Sequence, residues 1–182
     1  MRLRPTLWRT CRVIACETRL HLLWEIFENN ELCVGELADL AEITHHNAST
    51  QLRALNARGL LVATRRKQKL FYRPEANEDV AHAEDLLKAL HRCYEQSVPF
   101  KQIIRQATAF THTRRIEIVQ ELSGCRKTFA DLLQATGMKP PSLSRHLEKL
   151  KARGFVEQVD KMYKLRSPRH KFGRVLLRIA RS

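Results

Sequence analysis

Over residues 45–61 the apolar positions fall three apart, at Leu52 and Leu55, and the opposite face is short and polar. The pattern returns over 140–156, where Leu143, Leu147 and Leu150 alternate with serines and cations. The two stretches superpose without a gap at an offset of 95 residues: Ser49 on Ser144, Leu52 on Leu147, Leu55 on Leu150, and Ala57-Arg58-Gly59 on Ala152-Arg153-Gly154. Such spacing predicts a helix with a narrow buried stripe. The glycine one step beyond predicts a left-handed cap, and the apolar pair that follows (Leu60-Leu61, Phe155-Val156) predicts a strand.

The remaining pattern fits two units of roughly 90 residues around these helices. Helices are expected over 5–15 (Leu7, Trp8, Cys11, Ile14, Ala15 inward) and 18–28 (Leu20, Leu23, Trp24, Phe27 inward). Leu32-Cys33-Val34 reads as a strand-like link, and 35–42 as a short helix burying Leu37, Leu40 and Ala41. Ile43-Thr44-His45 is then the turn of a helix-turn-helix. Residues 60–73 predict a β-hairpin with the cationic tip Arg65-Arg66-Lys67-Gln68-Lys69. A longer helix is expected over 77–95, with a coiled-coil-like seam at Val80, Ala83, Leu87, Leu90 and Tyr94. The second unit repeats the plan: a helix over 100–110, Thr111 as the next N-cap, Ile116, Val119 and Leu122 inward, a short helix over 129–135, and a turn at 137–139. Its wing is expected to be three or four residues shorter, with a nearly neutral tip at Val159-Asp160-Lys161. A last amphipathic segment buries Phe172, Val175, Leu176 and Ile179. The fold expected is mainly α with small β-wings (α+β): an N-terminal winged-helix domain at 1–76, a connecting helix at 77–98, and a C-terminal winged-helix domain at 99–182.

Charge narrows the function. The 182 residues carry 33 Lys and Arg against 19 Asp and Glu, a formal +14, which points to a polyanionic partner and to nucleic acid first. No apolar run is long enough for a membrane span, and the basic start Met1–Pro5 leads into no signal-peptide core. Five cysteines without CxxC spacing suit a reducing cytoplasm better than a disulfide framework. There is no Gly-rich phosphate loop, no G-x-S-x-G and no H-E-x-x-H, so no enzyme is expected.

Thr18 to Leu23, Glu31 to Leu37, Leu52 to Gly59 and the return strand Leu70-Phe71-Tyr72-Arg73 resemble the ArsR/SmtB winged-helix repressors. Thr113 to Ile116, Ser142 to Leu150 and Ala152 to Val156 resemble the same family a second time. The resemblance implies a double-stranded DNA-binding transcriptional regulator, a repressor in most members, working as a dimer of such units. Here two diverged units share one chain, as a pseudo-dimer or as half of a homodimer joined through the helix at 77–95. It also implies a check for effector sites. The family's metal-thiolate box would need a second cysteine where Gly35 stands, and Thr128 and Ala130 occupy the box in the second unit. A thiol site of Cys33 with Cys11 and Cys16 therefore ranks below small buried core cysteines. Asp79, His82, His91 and Glu95 lack the spacing of the family's zinc set. No metal, cofactor or sensing function is expected.

Base reading is assigned to His46, Asn47, Ser49, Thr50 and Arg53 in the first unit and to Ser142, Ser144, Arg145 and Lys149 in the second. Asparagine can pair bidentately with adenine and arginine with guanine. Backbone contact is assigned to Arg65, Arg66, Lys67, Lys69, Lys139 and Lys161, whose cations neutralise phosphates without reading sequence. A winged-helix protein-interaction adaptor and a non-specific nucleic-acid binder are the competing classes.

Overall fold

The computed structural model describes residues 6–182; the basic start Met1–Pro5 lies outside them. Two compact units form, one of residues 13–104 and one of residues 105–182 together with 7–12. Helix α1 (Leu7–Ile14) is thus divided, with Cys11 buried in the second unit and Ile14 buried in the first.

In the first unit α2 (Glu17–Asn29) buries Leu20, Leu22, Leu23, Ile26 and Phe27. β1 (Leu32–Cys33) leads into α3 (Val34–Leu40), followed by α4 (His45–Asn56), β2 (Val62–Arg66) and β3 (Lys69–Arg73). The strands form an antiparallel sheet in the order β1-β3-β2, with Leu32 opposite Tyr72 and Val62 opposite Arg73. Leu40 does not join the core but stands exposed at the end of α3. The helix expected from residue 77 begins only at Ala83, giving α5 (Ala83–Glu95). Residues 77–82 are turns instead, because the Asn77 side chain accepts from Asp79 N (2.9 Å) and its backbone N–H is drawn to Gly59 O (3.0 Å). Asparagine competing locally for backbone groups disfavours a helix here. α5 rests on α2 through Phe27, whose ring lies 4.9 Å from His91 and 5.6 Å from Tyr94.

α6 (Phe100–Ala107) begins in the first unit and ends in the second. The second unit continues with a 3-10 turn (Thr108–Phe110), α7 (Thr113–Glu121), β4 (Lys127–Thr128), α8 (Phe129–Thr136), α9 (Pro140–Ala152), β5 (Val156–Val159), β6 (Met162–Leu165) and α10 (Lys171–Arg181). Its sheet repeats the first, in the order β4-β6-β5. The second wing is four residues shorter, as expected: Tyr72, opposite Leu32, lies 13 positions beyond Gly59, whereas its counterpart Tyr163, opposite Lys127, lies 9 beyond Gly154. The N-cap of α7 is His112, not Thr111. Ile118 and Val119 are buried on α7, and Arg115 takes an inward position where the repeat has Leu20. α10 packs on α7 with Phe172, Leu176, Leu177 and Ile179 buried, while Arg174, Arg178 and Arg181 face solvent.

Candidate nucleic-acid interface

Each recognition helix is entered differently. Thr44 caps α4, its Oγ1 accepting from Asn47 N (3.2 Å), which satisfies one of the free N–H groups of the first turn. α9 starts with Pro140-Pro141 and has no side-chain cap; proline tolerates that position because its missing N–H would go unpaired anyway. The preceding helices share one device. Cys33 caps α3, its thiol accepting from the Glu36 backbone while Glu36 Oε2 accepts from Cys33 N (2.7 Å). Thr128 and Asp131 make the same reciprocal box at α8. Hydrogen bonds donated to the carboxylate by Cys33 N and by the Cys33 thiol hold the Glu36 carboxyl below its usual pKa, with a smaller contribution from the Lys69 charge.

On α4, His46, Thr50 and Arg53 are exposed, and Asn47 and Ser49 are half-buried. Thr50 Oγ1 donates to His46 O (3.0 Å) and Arg53 Nε to Ser49 O (3.2 Å), so both side chains lie back along their own helix. Asn47 Oδ1 accepts from Gln51 Nε2 (2.9 Å), Gln51 Oε1 accepts from Arg19 Nη1 (2.7 Å), and Arg19 Nε donates to Val13 O (2.6 Å). The sequence reading missed Arg19, Gln51 and the exposed His45 at the first position of α4. The Asn47/Gln51 spacing of four was the available signal, since such side chains meet on a helix.

On α9, Ser144, Arg145 and Lys149 are exposed, Ser142 is half-buried, and Lys139 stands exposed immediately before the helix. His146, at the position of Gln51, is buried against the His112 ring at 4.7 Å between centroids, and its Nδ1 has no partner. Burial, then His112, Arg115, Lys149 and Arg145, lower its pKa to about 4.

The wings also divide. The first turns at Lys67-Gln68, with Arg65 opposite Leu70 and Arg66 opposite Lys69. Arg65 and Lys67 form no ion pair among the described residues, and Lys69 is exposed. Arg66 is committed: its guanidinium meets Glu31 bidentately (2.7 and 2.8 Å) and lies 5.3 Å over the Phe71 ring. In the second wing Asp160 and Lys161, both with positive φ, make the turn, and Lys164 pairs with Glu157 at 2.9 Å. That hairpin offers little free positive charge.

Cys11, Cys33 and Cys93 are buried in the fold, and Cys125 is exposed. Burial pushes the Cys11 thiol well above its ordinary pKa and the Cys93 thiol up to about 11, Cys33 is a helix cap, and Cys16 precedes α2 as its N-cap residue. Among the described residues no three His, Cys, Asp or Glu converge as a metal site would need. An open groove of about 1060 Å³ beside α5 is lined by Phe27, Val80 and Leu87 together with acidic side chains (Glu75, Glu78, Glu84) and the cations Lys88 and Arg92. No helix among the described residues is long and apolar enough to cross a membrane.

No solved structure matches the chain. The family model described as bacterial regulatory protein, arsR family, matches it twice, at residues 16–62 and 112–158, and each match contains one helix-turn-helix and the start of its wing. With slightly more than half of its residues covered by two copies of that unit, the chain belongs to the arsR family, whose members are DNA-binding transcription regulators.

Proposed function

We propose that this regulator is a sequence-specific repressor that reads double-stranded DNA with α4 and α9 as two non-identical recognition helices. The observation that carries the reading is that the two helices occupy the same place in the same local fold yet present different groups. One offers His46, Asn47, Ser49, Thr50 and Arg53, and the other Ser142, Ser144, Arg145 and Lys149. Arg65, Lys67, Lys69 and Lys139 supply phosphate contacts, with Lys161 a minor contributor and Arg66 held in reserve by Glu31. The winged-helix segments 1–76 and 99–182, with 77–98 between them, act as a pseudo-dimer in one chain or pair with a second chain through α5. Neither arrangement calls for a metal, a cofactor or a catalytic residue, and the protein works in the cytoplasm.

Selection of bound duplexes from a random pool with the full chain tests this. A motif with two unlike half-sites about one helical turn apart is the expected result. A perfect palindrome read by one half of the chain overturns the two-reader model. Binding without sequence enrichment that fades steeply with salt makes the protein a non-specific binder, and no DNA binding at all makes it an adaptor.

A further inference from the structure

We infer that Arg19 and Gln51 set the hydrogen-bonding sense of Asn47, so that α4 presents an amide donor to the base edge it meets and discriminates against adenine there. The inference rests on α4 being a base-reading helix, as proposed above.

Both amides are oriented by a residue that can only donate. Arginine carries five N–H groups and no acceptor, so the Gln51 atom 2.7 Å from Arg19 Nη1 is oxygen. The Gln51 amino group is then the one facing Asn47, and the Asn47 atom 2.9 Å from it must in turn be oxygen. Asn47 is left with its Nδ2 amino group turned away from Gln51. That nitrogen has no hydrogen-bond partner among the described residues, and it is not one of the buried unpartnered atoms, so it meets solvent. Arg19 is anchored by its own bond to Val13 O at 2.6 Å. The relay therefore starts at the backbone and ends on the third residue of the recognition helix, in the N-terminal turn that reaches base edges in helix-turn-helix complexes.

Bidentate recognition of adenine needs a donor for N7 and an acceptor for the N6 amino group. The Asn47 acceptor is already engaged by Gln51, and what it offers outward is a donor. Guanine, with acceptors at both N7 and O6, suits that donor; at adenine the two amino groups would oppose each other. The second unit has lost the device. At the repeat positions stand Arg114, His146 and Ser142, where Arg114 turns to Glu117 (2.9 Å) and Thr136 O (3.3 Å) and His146 Nδ1 has no partner.

The test compares selected motifs of wild-type full chain with those of Gln51→Glu, Arg19→Met and Asn47→Ala. The carboxylate introduced by Gln51→Glu would still accept from Arg19 but would present an oxygen to Asn47, turning the Asn47 amide over and its oxygen outward. The wild type is expected to enrich guanine over adenine by roughly ten-fold at one position, and Asn47→Ala to erase that preference. Gln51→Glu is expected to shift the same position toward adenine or cytosine, which carry amino donors. Arg19→Met is expected to relax it, and because Arg19→Met also removes a packing residue, the isosteric Gln51→Glu is the deciding variant. A wild-type preference for adenine at the Asn47-dependent position overturns the inference, as does a Gln51→Glu motif that keeps guanine while binding every sequence uniformly less tightly. Absence of any wild-type motif would instead defeat the base-reading function itself.

Discussion

Val80 closes over Gly59: a Cβ placed on Gly59 would lie 2.7 Å from Val80 Cβ and 2.9 Å from Val80 Cγ1. Asn77 N donates to Gly59 O in the same place, so the turn at 77–82 is pinned to the end of α4. The equivalent Gly154 has a similar φ, +79° against +70°, but a Cβ there would meet nothing within 4 Å. One repeat position therefore carries two different constraints.

Alanine at the two sites separates them. Gly154→Ala incurs only the left-handed backbone penalty, about 1–2 kcal/mol. Gly59→Ala adds the clash with Val80 and should lose on the order of 3 kcal/mol in total. Urea unfolding midpoints of the two variants measure this, and equal losses would show that Val80 yields freely.

Glu31 holds the Arg66 guanidinium in a bidentate pair. Glu31→Gln should release that cation and steepen the salt dependence of duplex binding by about one phosphate equivalent, at a cost to stability below about 1 kcal/mol for so exposed a pair. Lys67→Ala, which removes a cation without an ion pair, should flatten the same slope by a similar amount. Anisotropy titrations across a salt series give both slopes.

His146 should make the second unit acid-sensitive. Its folded pKa is depressed to about 4 from an ordinary 6.5, chiefly by burial, so between those values the unfolded chain binds the extra proton. Its contribution to stability is complete above pH 6.5 and is lost as pH falls toward 4. His112, whose pKa is also lowered first by burial, adds to the same trend. His146→Gln, copying Gln51, should flatten the pH dependence of the unfolding midpoint within this window.

Arg115 is a buried cation held by neutral acceptors. It donates to Ala109 O (2.6 Å), Thr108 O (3.1 Å) and Thr111 Oγ1 (2.7 Å), and burial lowers its pKa. Arg115→Met keeps much of the volume but strips donors from the 3-10 turn, so a loss of about 1–3 kcal/mol is expected. Leu20→Arg in the first unit, which buries a charge without that set of carbonyls, should be worse. Thermal unfolding of the two variants orders them.

Much of this was legible along the chain. The stripe Leu52 and Leu55, repeated at Leu147 and Leu150, specified both recognition helices, and the arginine-rich hairpin specified a wing, because periodicity is a local property of the backbone. The expected helix over 77–82 failed because Asn77 found partners in its own turn and in Gly59, 18 positions back along the chain. Val119 and Leu122 are buried as expected, but the start of the inward face of α7 escaped for a related reason. Ile116 looked like core, but Arg115 went inside once the carbonyls of Thr108 and Ala109 were there to receive it.

The sequence alone carried the duplicated helix-turn-helix and wing, which follow from hydrophobic period, and the motifs by which the chain resembles its family; its excess of cations pointed to a polyanion. Only the tertiary structure decided which polar groups remain open for contact. Arg66 is taken by Glu31 from 35 positions away, and Asn47 is oriented by Arg19 through Gln51 across 32 positions. Charge and residue type are written into each position, but hydrogen-bonding sense belongs to pairs, and pairs exist only after the chain has folded.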